Sequence, residues 1–382
     1  MSKTWYSILG RERALALAEL AAVCDTPESL EQHGAVAVGA GNPPRWSQIG
    51  GSQRAGEILG VIDTLSTEDI LKLIATILPS DGKVTIGLSM LGATETTYKH
   101  TWIQLKQTLR SDGRSVRIVT AKQSTALNAA QVRHNQLLSP GHLEIVLWER
   151  KRQWWVGRTN WVQDIDAYAH RDRDRPVRDA RVGMLPPKLA QTLINLAQPE
   201  AGELVYDPFC GTGVVLMEAA LMDHPIAGSD LSDRMIEATR SNLEWLATTH
   251  APINTVRLSI EDAQTVRLPD QSLRIVTEGY LGQPFGPSAT RQQIRTEQQT
   301  LDELYRTVLA NFRTQHQIKS LVFALPYWHL QGRDYHLSIL DSIEEIGYTF
   351  DQFAPTSACW LTYRRQDQQV GRMIVRLIKK EQ

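Results

Sequence analysis

Residues 4–9 read Thr4-Trp5-Tyr6-Ser7-Ile8-Leu9, an aromatic and β-branched run that predicts a strand. A helix follows over about 14–23, where Leu17, Leu20 and Ala21 share one face at helical spacing. Residues 34–38 predict a return strand, and Gly39 to Pro44 a turn. Thr67-Glu68-Asp69 supplies a start signal for a helix reaching about residue 78. Strands are predicted at 84–88, 116–119 and 143–148, with helices near 99–109 and 126–138 between them. Short strands interleaved with helices imply small α+β modules in this half.

The second half has a more regular rhythm. A helix runs from Pro187 through Ala197, and strands at 204–206, 226–230, about 256–258 and 273–277 alternate with helices at 214–222 and 233–246. This alternation predicts one α/β domain with a parallel sheet and right-handed crossovers. A further strand at 320–325 leads to Pro326-Tyr327-Trp328, which reads as a loop at the ligand-binding sheet edge. Between the halves, residues 150–181 carry nine basic side chains, Arg150, Lys151, Arg152, Arg158, Arg171, Arg173, Arg175, Arg178 and Arg181, interleaved with Trp154, Trp155, Trp161 and Tyr168. This reads as a connector with a binding face, although the alternating signs of Arg171-Asp172-Arg173-Asp174-Arg175 also suit a solvated, self-paired surface.

Composition narrows the class. A chain of 382 residues is long enough for two or three cores. With 42% hydrophobic and 22% charged residues it matches ordinary globular proteins. A formal net charge of -1 rules out a generally basic nucleic-acid binder, so any such contact must come from a local patch. The three cysteines, Cys24, Cys210 and Cys359, form no Cys-x-x-Cys or Cys/His cluster, so neither a metal site nor a disulfide framework is expected. Reduced thiols fit the cytoplasm. Residues 1–12 lack the apolar core of a signal peptide, and no apolar run reaches the roughly 18 residues of a membrane span.

The candidate chemistry lies at three successive strand ends. After the strand at 204–206 comes Asp207-Pro208-Phe209-Cys210-Gly211-Thr212-Gly213. In open α/β sheets ligands bind beyond the carboxyl ends of the strands, and Gly211 and Gly213 let the backbone approach closely. Asp230 ends the next strand, placed for ribose hydroxyls, and Asp262 follows the third, placed for an adenine amino group. The dinucleotide fingerprint ends in a third glycine, but Leu216 stands there. Asp207 would also repel a pyrophosphate. A cofactor with a sulfonium charge and no phosphate suits this set better. Cys210, inside the turn, is a packing residue rather than a nucleophile on this reading.

The turn resembles the first motif of amino-group RNA methyltransferases. Arg175-Pro176-Val177-Arg178-Asp179, then Val182-Gly183-Met184-Leu185-Pro186-Pro187-Lys188-Leu189-Ala190-Gln191, resembles the region before the catalytic domain of the THUMP-containing tRNA guanine-N2 methyltransferases. The tail from Tyr363-Arg364-Arg365 to Val370-Gly371-Arg372 is similar to that family's C-terminal strand region. The likeness is specific over about 160–282 and near the C-terminus, and weaker over 1–155. It implies a ferredoxin-like module over 1–65, a THUMP-like RNA-binding domain over 66–157, a basic linker over 158–182, and a Rossmann-like methyltransferase domain over 183–382. It also implies that Pro187, Asp207, Gly211, Gly213, Asp230 and Asp262 contact S-adenosylmethionine, with Phe209, Cys210, Leu231 and Glu261 beside them. The partner it implies is tRNA or another structured RNA, gripped by Lys122, Arg133, Arg173, Arg175 and Arg178, with no metal and no membrane.

The family's catalytic motif is Asp or Asn, two prolines, then Tyr or Phe. An exocyclic amine is a poor nucleophile because its lone pair is delocalised into the base. An oxygen acceptor localises that pair, and an aromatic ring stacks on the base for about 1–3 kcal/mol. Here the place after strand 273–277 reads Glu278-Gly279-Tyr280-Leu281. Glu278 is the candidate acceptor and Tyr280 the candidate stacking ring, one place early. Gly279 replaces a rigid proline and predicts a more mobile loop. This departure keeps two rivals open: a non-catalytic RNA-binding homologue, and a methyltransferase acting on DNA or a small molecule.

Overall fold

A computed structural model of the chain describes residues 4–78, 83–179, 184–249, 253–285, 290–366 and 368–381. These fall into two units, 1–13 with 24–47 and 52–165, and 14–23 with 48–51 and 166–382. The first half runs β1 (Thr4–Leu9), α1 (Arg13–Val23), β2 (Glu31–His33), β3 (Val36–Ala40), β4 (Ser52–Ile62), α2 (Thr67–Ile74), β5 (Lys83–Leu91), α3 (Glu95–Ser111), β6 (Ser115–Val119), α4 (Ala129–His134), β7 (His142–Arg150), β8 (Gln153–Val162) and α5 (Ile165–Arg173).

In the first unit these strands form one sheet in the order β2-β3-β1-β4-β8-β7-β5-β6. Side chains of β7 alternate between its faces, as pleating requires. Ile145 and Leu147 pack with Ile70, Leu88 and Leu105, while Val146 and Trp148 pack with Tyr6, Ile8 and Val38. On the Val146 face lies a buried polar chain. Arg54 pairs with Glu144, Ser89 Oγ donates to Glu144 Oε1 at 2.7 Å, and Thr159 Oγ1 donates to Glu144 Oε2 at 2.6 Å. Removing one partner of such a pair leaves an uncompensated charge in the core. Arg54→Met should therefore cost about 3–5 kcal/mol, read as a lower urea midpoint for this unit.

Three sequence expectations change here. Within the connector expected over 150–181, and the linker expected over 158–182, residues 153–162 form β8 and 165–173 form α5. β8 pairs with both β4 and β7 in mid-sheet. Its composition suggested a solvated segment, but Val156 is buried on one face and Thr159 on the other, and Gly157 lies where a Cβ would meet the Tyr6 ring at 2.5 Å. β4 was not expected at all, because Gly56 and Gly60 interrupt its apolar alternation. The helices predicted to about 78 and over 126–138 are shorter, as α2 and α4.

The second half runs α6 (Pro187–Ala197), β9 (Leu204–Asp207), α7 (Val214–Leu221), β10 (Ile226–Asp230), α8 (Asp233–Ala247), β11 (Thr255–Ile260), β12 (Leu273–Thr277), α9 (Arg291–Arg313), β13 (Ile318–Leu330), β14 (Arg333–His336), β15 (Tyr348–Phe350), β16 (Trp360–Tyr363) and β17 (Val370–Lys379). The second unit's sheet has the order β11-β10-β9-β12-β13-β17-β15, with β14 on β13 and β16 on β17. The first five strands are parallel. Helix α9 covers one face through Leu301, Tyr305, Val308 and Phe312. Helices α6, α7 and α8 cover the other, with Leu15 and Ala18 of α1 joining that core. Burial on both faces explains the near-continuous apolar runs of β9, β12 and β13.

The all-parallel expectation holds only as far as β13, since β17 pairs with it antiparallel. The loop expected at Pro326-Tyr327-Trp328 is part of β13, with Tyr327 and Trp328 buried. Glu19 of α1 is buried, and its carboxylate accepts from Gly50 N, Gly51 N and Asn195 Nδ2 at 2.7–2.9 Å. These contacts show why residues 14–23 and 48–51 belong with the second unit. Arg181 to Gly183, with the boundary expected there, and Asp367 lie outside the described residues.

Candidate active site

The turn after β9 is held from three sides. Phe209 N donates to Asp207 Oδ1 at 3.0 Å, a side-chain-closed turn. Cys210 N donates to Ser229 O at 3.0 Å and Gly211 N to Asp230 Oδ2 at 2.9 Å, which pins the turn to β10. Thr239 Oγ1 and Asn242 Nδ2 on α8 donate to the Gly211 and Thr212 carbonyls, each at 2.8 Å. Gly211 and Gly213 have φ of 51° and 83°. At Gly213 a Cβ would lie 2.9 Å from Thr239 Cγ2. Only glycine lets α7 start this close to α8. Thr239 and Asn242 were not read from the sequence. Their signal was two polar residues three apart beside the apolar Ile236 and Leu243 of α8.

Beyond these strand ends opens a cavity of about 420 Å³, within the size range of small-molecule sites. Asp207, Phe209, Cys210, Gly211, Asp230, Leu231, Asp262, Glu278 and Tyr280 all line it. So do Asp179, Met184, Leu185 and Gln264, which were not singled out beforehand. Three expected cofactor residues do not line it. Pro187 is buried at the start of α6, where its fixed φ suits the first helical turn. Gly213 serves the helix approach just described. Glu261 turns to an ion pair with Arg257 of β11.

The cavity is acidic. Asp179, Asp207, Asp230, Asp262 and Glu278 line it, and among its described lining residues there is no Lys, Arg or His. Burial pushes the Asp207 carboxyl up to about 7, with Asp230 and Glu278 adding repulsion. Burial likewise holds the Cys210 thiol well above its ordinary range, which fits packing rather than nucleophilic attack. Asp230 accepts from Gly211 N and Ser232 N, and Asp262 from Gln264 N at 2.9 Å. Leu231 is 74% exposed, a bare apolar surface next to the Asp230 carboxylate. An adenosyl-sulfonium group fits this donor set. Its positive charge would meet carboxylates, Asp230 would be placed for its ribose and Leu231 for its flat base, whereas a phosphate would meet the same carboxylates with repulsion.

Glu278 follows β12. Arg372 Nε on β17 donates to its Oε1 at 2.5 Å, and both side chains are largely buried. Burial raises the Glu278 carboxyl while Arg372 opposes that rise. The expected mobility at Gly279 is not what the geometry shows. Gly279 has φ of 70°, which proline cannot adopt. Its N–H donates to Thr277 Oγ1 at 2.9 Å, and the buried Tyr305 hydroxyl donates to Tyr280 O at 2.8 Å. Gln283 N donates to Glu297 Oε1 at 2.8 Å further along. The loop is latched on α9, and glycine is what permits the latch. The Tyr280 ring packs partly against the α9-side core, and Gln283 Nε2 donates to its hydroxyl at 3.2 Å.

The candidate RNA contacts are divided between the units. In the first, Lys122 is exposed and Arg133 pairs with Asp164. In the second, Arg173 and Arg178 are exposed. Arg175 is not available to a phosphate: it is 2% exposed, donates to Arg171 O at 2.9 Å and contacts Met184 Sδ.

A parallel sheet flanked by helices, with carboxylates at successive strand ends around one cavity, is the architecture of a Rossmann-like methyltransferase domain. Residues 175–326 match a family model described as RMKL-like, methyltransferase domain. The chain is 38% identical over 127 residues to a tRNA (guanine(10)-N2)-dimethyltransferase of Methanothermobacter thermautotrophicus, covering 33% of this chain and 34% of that protein. It is 33% identical over 100 residues to mouse U6 snRNA (guanine-N(2))-methyltransferase THUMPD2, covering 26% and 18%. The chain thus spans about a third of the length of the first curated relatives it matches. In fold it resembles the crystal structure of TrmN from Thermus thermophilus, with a TM-score of 0.51 at 17% identity over 98% of this chain and 99% of that one. It also resembles a possible methylase from Clostridium difficile, with a TM-score of 0.50 at 14% identity over 100% and 99%.

Proposed function

We propose that this chain methylates an exocyclic amine of RNA, guanine N2 of tRNA being the first candidate. The observation that carries the reading is the acidic cavity, with no basic side chain among its described lining residues, joined at one end to a loop presenting Glu278 and Tyr280. S-adenosylmethionine supplies a methyl group on a positively charged sulfur, which departs as a neutral thioether. Asp207, Gly211, Asp230, Leu231 and Asp262 hold it. Glu278 accepts a hydrogen bond from the target amine and localises its lone pair. Transfer would form a new N–C bond as the S–C bond breaks, and the proton shed by the nitrogen would pass to solvent water. Tyr280 stacks on the base and, with the latched loop, aligns it, since alignment itself lowers the barrier. The names of the relatives support guanine N2, and Lys122, Arg133, Arg173 and Arg178 are the basic side chains offered to RNA. On this reading the first unit is the RNA-gripping, THUMP-like part, and the enzyme works in the cytoplasm. Among the described residues no helix is long and apolar enough to cross a membrane.

The test is transfer of tritiated methyl to unmodified tRNA, a U6 snRNA transcript and duplex DNA, followed by nucleoside mass spectrometry. N2-methylguanosine in RNA is expected. Label in DNA alone would discard the substrate assignment, and cofactor binding without turnover on any RNA would favour a non-catalytic homologue.

Asp207 makes cofactor affinity pH-dependent. With its carboxyl near 7, Asp207 is largely protonated below that pH, and a sulfonium needs the ionised form. Affinity for S-adenosylmethionine should rise with pH through about 7 and then level off. Each pH unit below should weaken binding up to about tenfold. S-adenosylhomocysteine is neutral at sulfur and should show a flatter profile. Calorimetry of both ligands from pH 5.5 to about 8.5 checks this; parallel profiles would remove Asp207 from the sulfonium site.

A further inference from the structure

Arg372 lies 94 residues from Glu278 in sequence, on a strand that took no part in the cofactor constellation. In the sheet it stands between Pro326 of β13 and Tyr363 of β16. Its guanidinium carbon lies 5.9 Å from the Tyr363 ring centroid, and its side chain is 6% exposed. Among the described residues Glu278 makes one hydrogen bond, from Arg372 Nε to Oε1. Oε2 therefore remains for a ligand in the cavity that Glu278 lines.

Resting on the function proposed above, we propose that Arg372 is a positioning residue: it fixes Oε1 so that Oε2 faces the target amine, and it keeps the carboxyl ionised as an acceptor. The physical need is specific. Glu278 sits where its charge is poorly solvated, and Asp207 from β9 faces it with a like charge. Tyr305 from α9 is the other titratable neighbour, and its proton is held far above the working range. A carboxyl left alone in that setting takes up a proton. It would then offer an O–H donor to an amine that needs an acceptor. Among the described residues Arg372 is the cation that pairs with it. A guanidinium held between two strands and an aromatic ring also fixes orientation, which a flexible ammonium does not. The family motif puts a shorter Asp or Asn at this place. A glutamate reaches one methylene further and has one more torsion to constrain, and the ion pair supplies that constraint.

The test compares wild type, Arg372→Gln and Arg372→Lys in the full chain, at saturating S-adenosylmethionine so that Asp207 stays charged. For Arg372→Gln, kcat at pH 7 should fall about 100-fold or more, and the acidic limb of its pH profile should move up by about 1–3 pH units. Much of the rate should return at pH 9, with cofactor affinity unchanged. Arg372→Lys should keep the acidic limb near that of wild type yet lose about tenfold in kcat, because charge is restored without the fork. An unshifted profile in Arg372→Gln, or full activity in it, overturns the proposal. If Arg372→Gln does not fold, Arg372→Lys decides: wild-type kcat there overturns it. A second readout does not need turnover. Carbon NMR of glutamate-labelled protein, with the Glu278 signal assigned by its loss in Glu278→Gln, reports the carboxyl titration directly. An inactive wild type would defeat the proposed function, while the midpoint difference between wild type and Arg372→Gln would still judge the ionising role of Arg372.

Discussion

Glu278→Gln should lower the methyl-transfer rate about 10²–10³-fold, the usual cost of one positioned polar group at a reacting centre, while S-adenosylmethionine binds as before. The glutamine amide nearly matches the carboxylate in shape, so the loop stays latched through Tyr305 and Tyr280. Its chemistry differs. The amide has one oxygen, and Arg372 already claims the oxygen at that position. An NH₂ group is then turned toward the amine, where donor meets donor. Glu278→Ala is the poorer experiment, because it leaves the Arg372 guanidinium buried without its partner, at about 3–5 kcal/mol. Single-turnover transfer to tRNA gives the rate, and calorimetry gives cofactor affinity. A Gln variant with the wild-type rate would remove Glu278 from the chemistry, and a variant that lost cofactor binding would assign it to the wrong ligand.

The cavity lining at the strand ends was legible because its residues are local. Asp207, Gly211, Asp230, Leu231 and Asp262 each sit at or just beyond a strand end, and strand ends follow from apolar runs that stop. In a parallel sheet successive strand ends meet at one edge, so spacing along the chain became proximity in space. The base end was not legible in the same way. The Arg372 partner of Glu278 comes from an antiparallel strand at the far end of the chain, and no periodicity announces it. Gly279 was misjudged for a related reason. Glycine in a loop suggests mobility, yet a positive φ under a buried tyrosine hydroxyl is a constraint that no sequence window shows. The first half misled through charge. Arg158 and its neighbours gave β8 a surface composition, although it pairs with β4 and β7 on either side and buries Val156, Gly157 and Thr159. Arg175 failed as a phosphate ligand because it is buried, with its terminal nitrogens on the Arg171 carbonyl and Met184.

Gly279→Ala should reduce transfer about 100-fold, and Gly279→Pro should reduce it further. A non-glycine residue at φ 70° costs roughly 1–2 kcal/mol on conformation alone. A Cβ there would also lie 2.3 Å from the Tyr305 hydroxyl oxygen. Tyr305 is buried and T-stacked on Phe323, so it has little room to retreat. The loop must move instead, breaking the Tyr305 bond to Tyr280 O and shifting Glu278 and Tyr280 together. A displacement near 1 Å is enough for a loss of about 100-fold. The two causes can be separated with Tyr305→Phe, which removes the hydroxyl but leaves φ untouched. If the clash dominates, the double variant Gly279→Ala/Tyr305→Phe should be faster than Gly279→Ala alone. If backbone strain dominates, it should be no faster. Cofactor affinity should stay near wild type in every variant, because the turn after β9 is pinned to β10 and α8 and not to this loop. An alanine variant with full activity would mean that the loop does not place the base, and Glu278 and Tyr280 would both lose their assigned roles.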